Sequence, residues 1–450
     1  MKFLPNVFSI NSKIVAGQLN IADCKVSSLA KEFGTPLFII DENDFNYRLN
    51  TWKSALERHF GAQAGSVYYA SKSFISVEVA KWISSSGIGI DVCTAGELAV
   101  ALAANFDPSK IELHGNNKSE IEIRAAIKAG VSKIVIDSHQ EIERVNRLAN
   151  EAGIIQNVLI RLTPGVEAHT HEFISTAHED VKFGFSISSG DAAKAAQGVE
   201  QAANLRLNGV HCHIGSQIFE SEGFETAATR LIEFLSEFRD RNGRELAELD
   251  LGGGYGVAYV EGEITYDPDV AMSAIASLVK VQTTKHKLAM PVVSIEPGRA
   301  ISAPTTTTLY EVGTTKNVTL DDGGIRRYIA VDGGMSDNIR PALYGAQYSA
   351  ILANRTSTQS AISSRLVGKH CESGDIIIRE IDLPSDIAPG DLIATPATGA
   401  YGRSMASNYN HMPRPAVIAV KDGTARLIVR RETQEDLLGL DVSEQPRTIN

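Results

Sequence analysis

Between residues 66 and 296 the chain repeats one pattern: a short apolar or β-branched run, then a longer segment with its own helix-start residues. The runs fall at 66–70, 88–93, 110–114, 133–137, 157–161, 209–214, 248–251 and 291–296. Brief runs of this kind, bounded by turn residues, are how strands buried on both faces read. The intervening segments open with Thr94-Ala95-Gly96-Glu97, Ser119-Glu120-Ile121-Glu122 and Ser138-His139-Gln140-Glu141. Each has capping-box spacing, in which hydroxyl and carboxylate satisfy N–H groups left open at a helix start. Gly87, Gly130 and Gly153 stand where the helices would stop. Eight alternating units predict a (β/α)₈ barrel over residues 36–302. An open doubly wound sheet uses the same units, and strand counting alone leaves it open.

Beyond residue 302 the texture changes. Runs at 327–331, 375–379 and 415–420 follow one another without intervening helices, and Lys421-Asp422-Gly423-Thr424 supplies an Asp-Gly hairpin turn. Residues 303–450 therefore read as a second, mostly antiparallel β domain, with polar residues 354–364 as a surface loop. A chain of 450 residues with 43% hydrophobic and 22% charged content has material for two such domains. Its net charge of −11 argues against nucleic-acid binding, which needs a basic surface. No run approaches a transmembrane span, and the start of the chain lacks signal-peptide order. Cys24, Cys93, Cys212 and Cys371 lie far apart, as expected of reduced thiols in a cytoplasmic protein.

In a barrel the strands' C-terminal ends form the active-site face. Those ends carry Lys72, Asp91, His114, Arg161, His213, Gly252-Gly253-Gly254 and Glu296. Lys72 is either a desolvated Schiff-base nucleophile or a solvated lysine at a loop start. The glycine run lets backbone N–H groups approach an anion, or makes a tight turn. In Glu296-Pro297-Gly298-Arg299 the carboxylate suits a positive ring nitrogen and the arginine suits a phosphate or carboxylate; a surface ion pair is the plainer reading. His211 and His213 share one strand face. With no cysteine or carboxylate at ligand spacing they predict no metal; they suit ring stacking or burial in the core. His169, His171 and His178 cluster near Glu172, Glu179 and Asp180 in an apparent loop, where no metal is expected either. Cys371 sits beside Glu372, a setting that suits a proton donor better than a thiolate, or a small buried cysteine.

Taken together, these motifs resemble one family. They are Tyr69-Ala70-Ser71-Lys72, His114-Gly115-Asn116-Asn117-Lys118, His211-Cys212-His213-Ile214-Gly215-Ser216 and Leu251-Gly252-Gly253-Gly254. Glu296-Pro297-Gly298-Arg299, Asp332-Gly333-Gly334-Met335, Arg340-Pro341-Ala342-Leu343-Tyr344, the run from Gly368 to Asp375, and Gly399-Ala400-Tyr401-Gly402 complete the set. The chain resembles the fold-type-III pyridoxal-phosphate decarboxylases, whose scaffold is alanine-racemase-like, and the likeness spans nearly its whole length. Ser73-Phe74 and Gly402-Arg403 depart from the pattern, which leaves the local pocket shape open.

The resemblance implies a barrel over 36–302 and a β domain built from 1–35 with 303–450. It implies pyridoxal 5′-phosphate held covalently by Lys72, with Glu296 at the pyridine nitrogen, His213 on the ring face and Asp91 nearby. Ser216, Gly254, Gly298, Arg299 and Tyr401 would hold the phosphate. Cys371 would return a proton after carbon dioxide leaves, and Cys371 with Glu372 would come from the neighbouring subunit of a homodimer. The charges argue for the substrate. Glu372 suits a distal ammonium, while Arg299, Arg340 and Tyr344, with Tyr401 beside them, suit a distal carboxylate. That two-signed pocket fits meso-2,6-diaminopimelate and leaves an unpaired buried arginine against ornithine. Decarboxylases of ornithine, arginine or carboxynorspermidine are the nearest rivals; an amino-acid racemase and a silent cofactor carrier are more distant ones.

Overall fold

A computed structural model describes residues 3–165 and 182–442. Two compact units emerge: one holds residues 45–258 and 263–303, the other residues up to 44, 259–262 and those from 304 onward. The histidines at 169, 171 and 178 lie outside the described residues.

The first unit is the closed barrel. Its eight parallel strands are Ala64–Ala70, Gly89–Val92, Ile111–Leu113, Lys133–Ile136, Gln156–Thr163, Leu205–His211, Glu248–Asp250 and Val292–Ile295. Each matches one of the eight apolar runs. Closure comes from the last strand pairing with the first, Val293 opposite Ala64 and Ile295 opposite Val67. A two-residue strand, Phe185–Ser186, adds to the fifth strand outside the ring. Ile90, Ile111, Ile134, Ile160, Val210, Leu249 and Val293 are fully buried, which explains the unbroken apolar runs. Removing such a side chain to alanine costs about 2–5 kcal/mol.

The helix starts are less uniform than the spacing predicts. Ser119 and Glu122 make a complete capping box. Thr94 and Ser138 accept their N3 amides, but the carboxylates of Glu97 and Glu141 bond instead to the Cys93 and Asp137 amides. Both carboxylates reach one residue further back and tie the helix to the strand end before it.

The second unit holds an antiparallel three-stranded sheet, Ser12–Val15, Gln18–Ile21 and Cys24–Lys25. Its larger sheet runs Ile376–Pro384, Ala361–Val367, Ile325–Val331, Thr306–Thr319, Leu37–Asp41, Ala416–Lys421, Thr424–Val429. Most pairings are antiparallel; Ala361–Val367 with Ile325–Val331 and Leu37–Asp41 with Ala416–Lys421 are parallel. Leu37–Asp41 thus belongs to this sheet, so the barrel starts later than residue 36. Its apolar run reads like a barrel strand because it too is covered on both faces. The Asp-Gly hairpin forms as expected, with Asp422 and Gly423 both at positive φ. The polar loop at 354–364 ends sooner than expected. Ala361–Val367 is a strand whose Ser and Thr-like polarity reflects partial exposure.

Candidate active site

The first barrel strand ends in a turn that presents Lys72 half-buried. Tyr69 Oη donates to the Phe74 carbonyl at 2.7 Å. Ser73 Oγ lies 2.8 Å from the Ala70 carbonyl and 3.0 Å from Tyr69 Oη, sharing its proton between them. Tyr69 and Ser73 are both fully buried. The departure at Ser73 therefore stiffens the turn that carries the lysine.

Beside it in the ring, the eighth strand ends in Glu296, buried at 3% exposure. Its Oε1 lies 3.2 Å from His114 Nε2 and 3.0 Å from His211 Nε2. Neither approach is aligned as a hydrogen bond, since Glu296 Oε1, His114 Nε2 and both His211 ring nitrogens lack one among the described residues. Burial would raise Glu296, but His114 and His211 hold it well below the usual carboxylate range. Burial would lower His114, yet Glu296, Glu112 and Asp91 raise it on balance. Burial pushes His211 down to about 4. The charged partner of Glu296 is therefore His114, with His211 a neutral neighbour whose ring meets that of His114 at 4.9 Å, edge to face.

Asp91, at the end of the second strand, is fully buried, and neither carboxylate oxygen has a hydrogen-bond partner among the described residues. Burial and the nearby Glu296 push it up to about 8. His213 accepts the Gly253 N–H at Nδ1, 3.3 Å, which requires that nitrogen to be unprotonated. Burial and the Lys72 charge hold its ring well below the ordinary imidazole value. Arg161, expected at the same face, lies over the Phe183 ring at 4.3 Å.

The glycines bring neighbouring strand ends together. Gly252 has φ +66°, and a Cβ there would meet the Cys212 carbonyl at 2.3 Å. A Cβ on Gly298 would meet the Ala70 Cβ at 2.7 Å. A Cβ on Gly254 would meet the Gly215 carbonyl at 2.4 Å, and next to Gly215, Ser216 Oγ accepts from Arg299 Nη2 at 2.7 Å. An arginine and a hydroxyl from two strand ends thus meet beside the glycine run, a donor set suited to an oxyanion.

The remaining predicted residues lie in the second unit. Arg340 opens the short helix Arg340–Tyr344 and is buried against the rings of Tyr259, 4.8 Å, and Tyr348, 5.5 Å, which themselves meet edge to face at 5.2 Å. It donates to Tyr348 Oη, and these contacts outweigh burial and raise its pKa. Tyr344 is half-buried. Cys371 and Glu372 are exposed in the single chain. Their turn is shaped by Asp375, whose carboxylate accepts the amides of Met335 at 2.6 Å and His370 at 2.8 Å. Tyr401 holds φ +59°, a strained value for a non-glycine residue.

Sequence reasoning missed three buried charges inside the barrel: Glu112, Lys133 and Asp250. Their signal was present, since each interrupts or borders an apolar strand run. His114, His211 and Glu296 bring ligand-type atoms within 4.8 Å of one another. Among these three, His114 is raised and Glu296 lowered, as in an ion pair.

A family profile described as pyridoxal-dependent decarboxylase, pyridoxal binding domain, matches residues 42–303. A diaminopimelate decarboxylase of Mycobacterium tuberculosis is 53% identical over 445 residues, 97% of this chain and 98% of the relative. One from Bacillus subtilis is 44% identical over 427 residues, covering 95% of each. The solved structure of diaminopimelate decarboxylase from M. jannaschii in co-complex with L-lysine superposes with TM-score 0.90 at 31% identity. It covers 98% of this chain and 99% of that one. Matching along nearly the full length, in sequence and in fold, places this chain in the diaminopimelate decarboxylase family of pyridoxal-dependent decarboxylases.

Proposed function

We propose that the chain uses pyridoxal 5′-phosphate to decarboxylate meso-2,6-diaminopimelate at its D centre, giving L-lysine and carbon dioxide. The observation that carries this reading is Glu296, kept ionised in a dry barrel mouth by His114 and facing the same electrostatic field as Lys72. A buried carboxylate held anionic is the partner a protonated pyridine nitrogen requires. The orphaned oxygens of Asp91 and the Arg299–Ser216 pair give further polar groups that fit a charged, phosphorylated ring.

When bound, pyridoxal phosphate supplies a ring that accepts the electron pair left on Cα as the carbon–carbon bond to the carboxylate breaks. The chain's own groups do the rest. Lys72 Nζ would hold the cofactor covalently. Glu296 holds the proton on the ring nitrogen, and neutral His213 offers a flat face without competing charge. Arg299, Ser216, Gly254 and Gly298 bind the phosphate, and the resemblance adds Tyr401. Cys371 Sγ delivers a proton to Cα, forming the C–H bond that replaces the lost C–C bond.

Substrate choice rests on Arg340, Tyr344 and Glu372, with Arg299 and Tyr401. A buried guanidinium held against two tyrosine rings is a pre-positioned donor for a distal carboxylate. Glu372 takes the distal ammonium. Exposure of Cys371 and Glu372 in the single chain supports a homodimer in which each subunit completes its neighbour's site. In this reading the barrel unit, residues 45–258 and 263–303, binds the cofactor, while the second unit carries dimerisation and substrate contacts. No helix among the described residues is long and apolar enough to cross a membrane, in keeping with a cytoplasmic enzyme.

The test is carbon dioxide release with added pyridoxal phosphate across meso-, LL- and DD-diaminopimelate, L-ornithine, L-arginine, L-lysine and carboxynorspermidine. Turnover of meso-diaminopimelate alone, with L-lysine appearing, is expected. Preferential turnover of ornithine or arginine would overturn the carboxylate-binding roles given to Arg299, Arg340 and Tyr344.

A further inference from the structure

The interior of the barrel holds a line of alternating charges that starts at the rim opposite the active site. Glu248, first residue of the seventh strand, lies 2.5 Å from Lys133 Nζ, first residue of the fourth. Lys133 Nζ is also 2.7 Å from Glu112 Oε1 and sits 5.4 Å from the centre of the Tyr68 ring. Glu112 and His114 point to the same face two residues apart on the third strand. Glu112 Oε2 is 3.7 Å from His114 Nε2, which in turn is 3.2 Å from Glu296 Oε1. The line therefore reads anion, cation, anion, cation, anion, and it ends on Glu296.

We infer that Lys133 is a positioning residue for the active site, acting through Glu112 and His114 to keep Glu296 charged. The inference rests on the reading of Glu296 as partner of the cofactor's ring nitrogen.

The reason is crowding in a dry interior. Carboxylate oxygens of Glu112, Asp250 and Glu296 lie within 4.8 Å of one another, so all three cannot ionise without counter-charge. Asp250 answers by staying protonated, since burial with Glu296 and Glu112 nearby raises it well above the usual range. Glu112 is fully buried yet lowered on balance, because Lys133 and His114 outweigh its burial. An ionised Glu112 gives His114 a second anion, which secures the imidazolium that Glu296 faces. Other charged or titratable groups around His114 are Asp91, Lys72, Arg161 and His211, one from each remaining strand end. None of them supplies Glu112 with a cation at contact distance.

Without Lys133, Glu112 is a buried carboxylate beside two others and takes up a proton rather than remain unpaired. His114 then loses one of its two anionic neighbours. The direction is decisive, because a merely electrostatic removal of a cation with Glu112 still ionised would move His114 the opposite way.

The experiment follows the ring signal of His114 in full-length protein carrying ¹³C-labelled histidine, assigned with His114→Asn, with pyridoxal phosphate bound and after its removal. In Lys133→Met the titration midpoint of His114 should fall by at least one pH unit, a tenfold change in proton affinity, and Lys133→Arg should restore it. An unchanged or raised midpoint overturns the inference. If Lys133→Met does not fold, Glu112→Gln removes the same anion directly, and a midpoint that fails to fall there overturns it equally. Pyridoxal-phosphate affinity gives the independent readout, expected to weaken at least tenfold in Lys133→Met. A shifted His114 with unchanged cofactor affinity upholds the line of charges and removes only the assignment of Glu296 to the ring nitrogen.

Discussion

His114 Nε2 and Glu296 Oε1 stand 3.2 Å apart, joining the ends of the third and eighth strands across the barrel mouth. Neither group is comfortable alone in so dry a place. Together they hold a carboxylate and an imidazole in mutual support at the barrel mouth, where the proposed cofactor ring would need an anion.

Asp91 should leave a mark on stability. Its folded value near 8 lies above the ordinary value of about 3.9, so its contribution is complete below about pH 4 and is lost as pH rises towards 8. Asp91→Asn cannot ionise and escapes that loss. In chemical denaturation of cofactor-free protein at several values between pH 5 and 8, the wild type should lose stability relative to the variant as pH rises. Parallel profiles would show that Asp91 is ionised in the folded protein.

Ser73→Ala removes the shared proton that links the Ala70 carbonyl to the Tyr69 hydroxyl. The expected cost is about 1 kcal/mol of stability, together with weaker cofactor retention as the Lys72 turn loosens. Equal thermal midpoints and equal pyridoxal-phosphate dissociation would separate Ser73 from the turn.

Cys371→Ala should keep the visible absorbance of bound cofactor while turnover drops by roughly 10²-fold or more, the usual weight of a positioned general acid. An unaltered rate would take the thiol out of the proton transfer.

Lys118 is 1% exposed and donates to the carbonyls of Gly115, 2.5 Å, and Val135, 2.7 Å, and to both oxygens of Glu141 at 2.9 Å. Lys118→Met strands Glu141 in the interior, a loss of about 3–5 kcal/mol. Urea unfolding measures it, and a loss below about 1 kcal/mol would contradict the buried pairing.

Much of this architecture was legible because buried parallel strands announce themselves as apolar runs. Ile90, Leu113, Ile134 and Val293 could hardly sit elsewhere. The strand at 37–41 was harder, since nothing in Leu37-Phe38-Ile39-Ile40 says which of two buried sheets it joins. At the site, Lys72, Glu296 and Cys371 were visible through their motifs. Glu112 and Lys133 were not, because their meaning lies in pairing across strands, and one-dimensional spacing carries no record of which strands face each other inside a ring.

Leu37–Asp41 also has a consequence for synthesis. Its neighbours in the sheet are Thr306–Thr319 on one side and Ala416–Lys421 on the other, so this apolar strand waits 265 residues (41 to 306) for one partner and 375 (41 to 416) for the other. At roughly 5–20 residues per second the ribosome leaves both its edges open for some tens of seconds. An open apolar edge invites pairing with another chain. Expression yield should therefore depend more on chaperone supply and translation speed than on the stability of the finished enzyme.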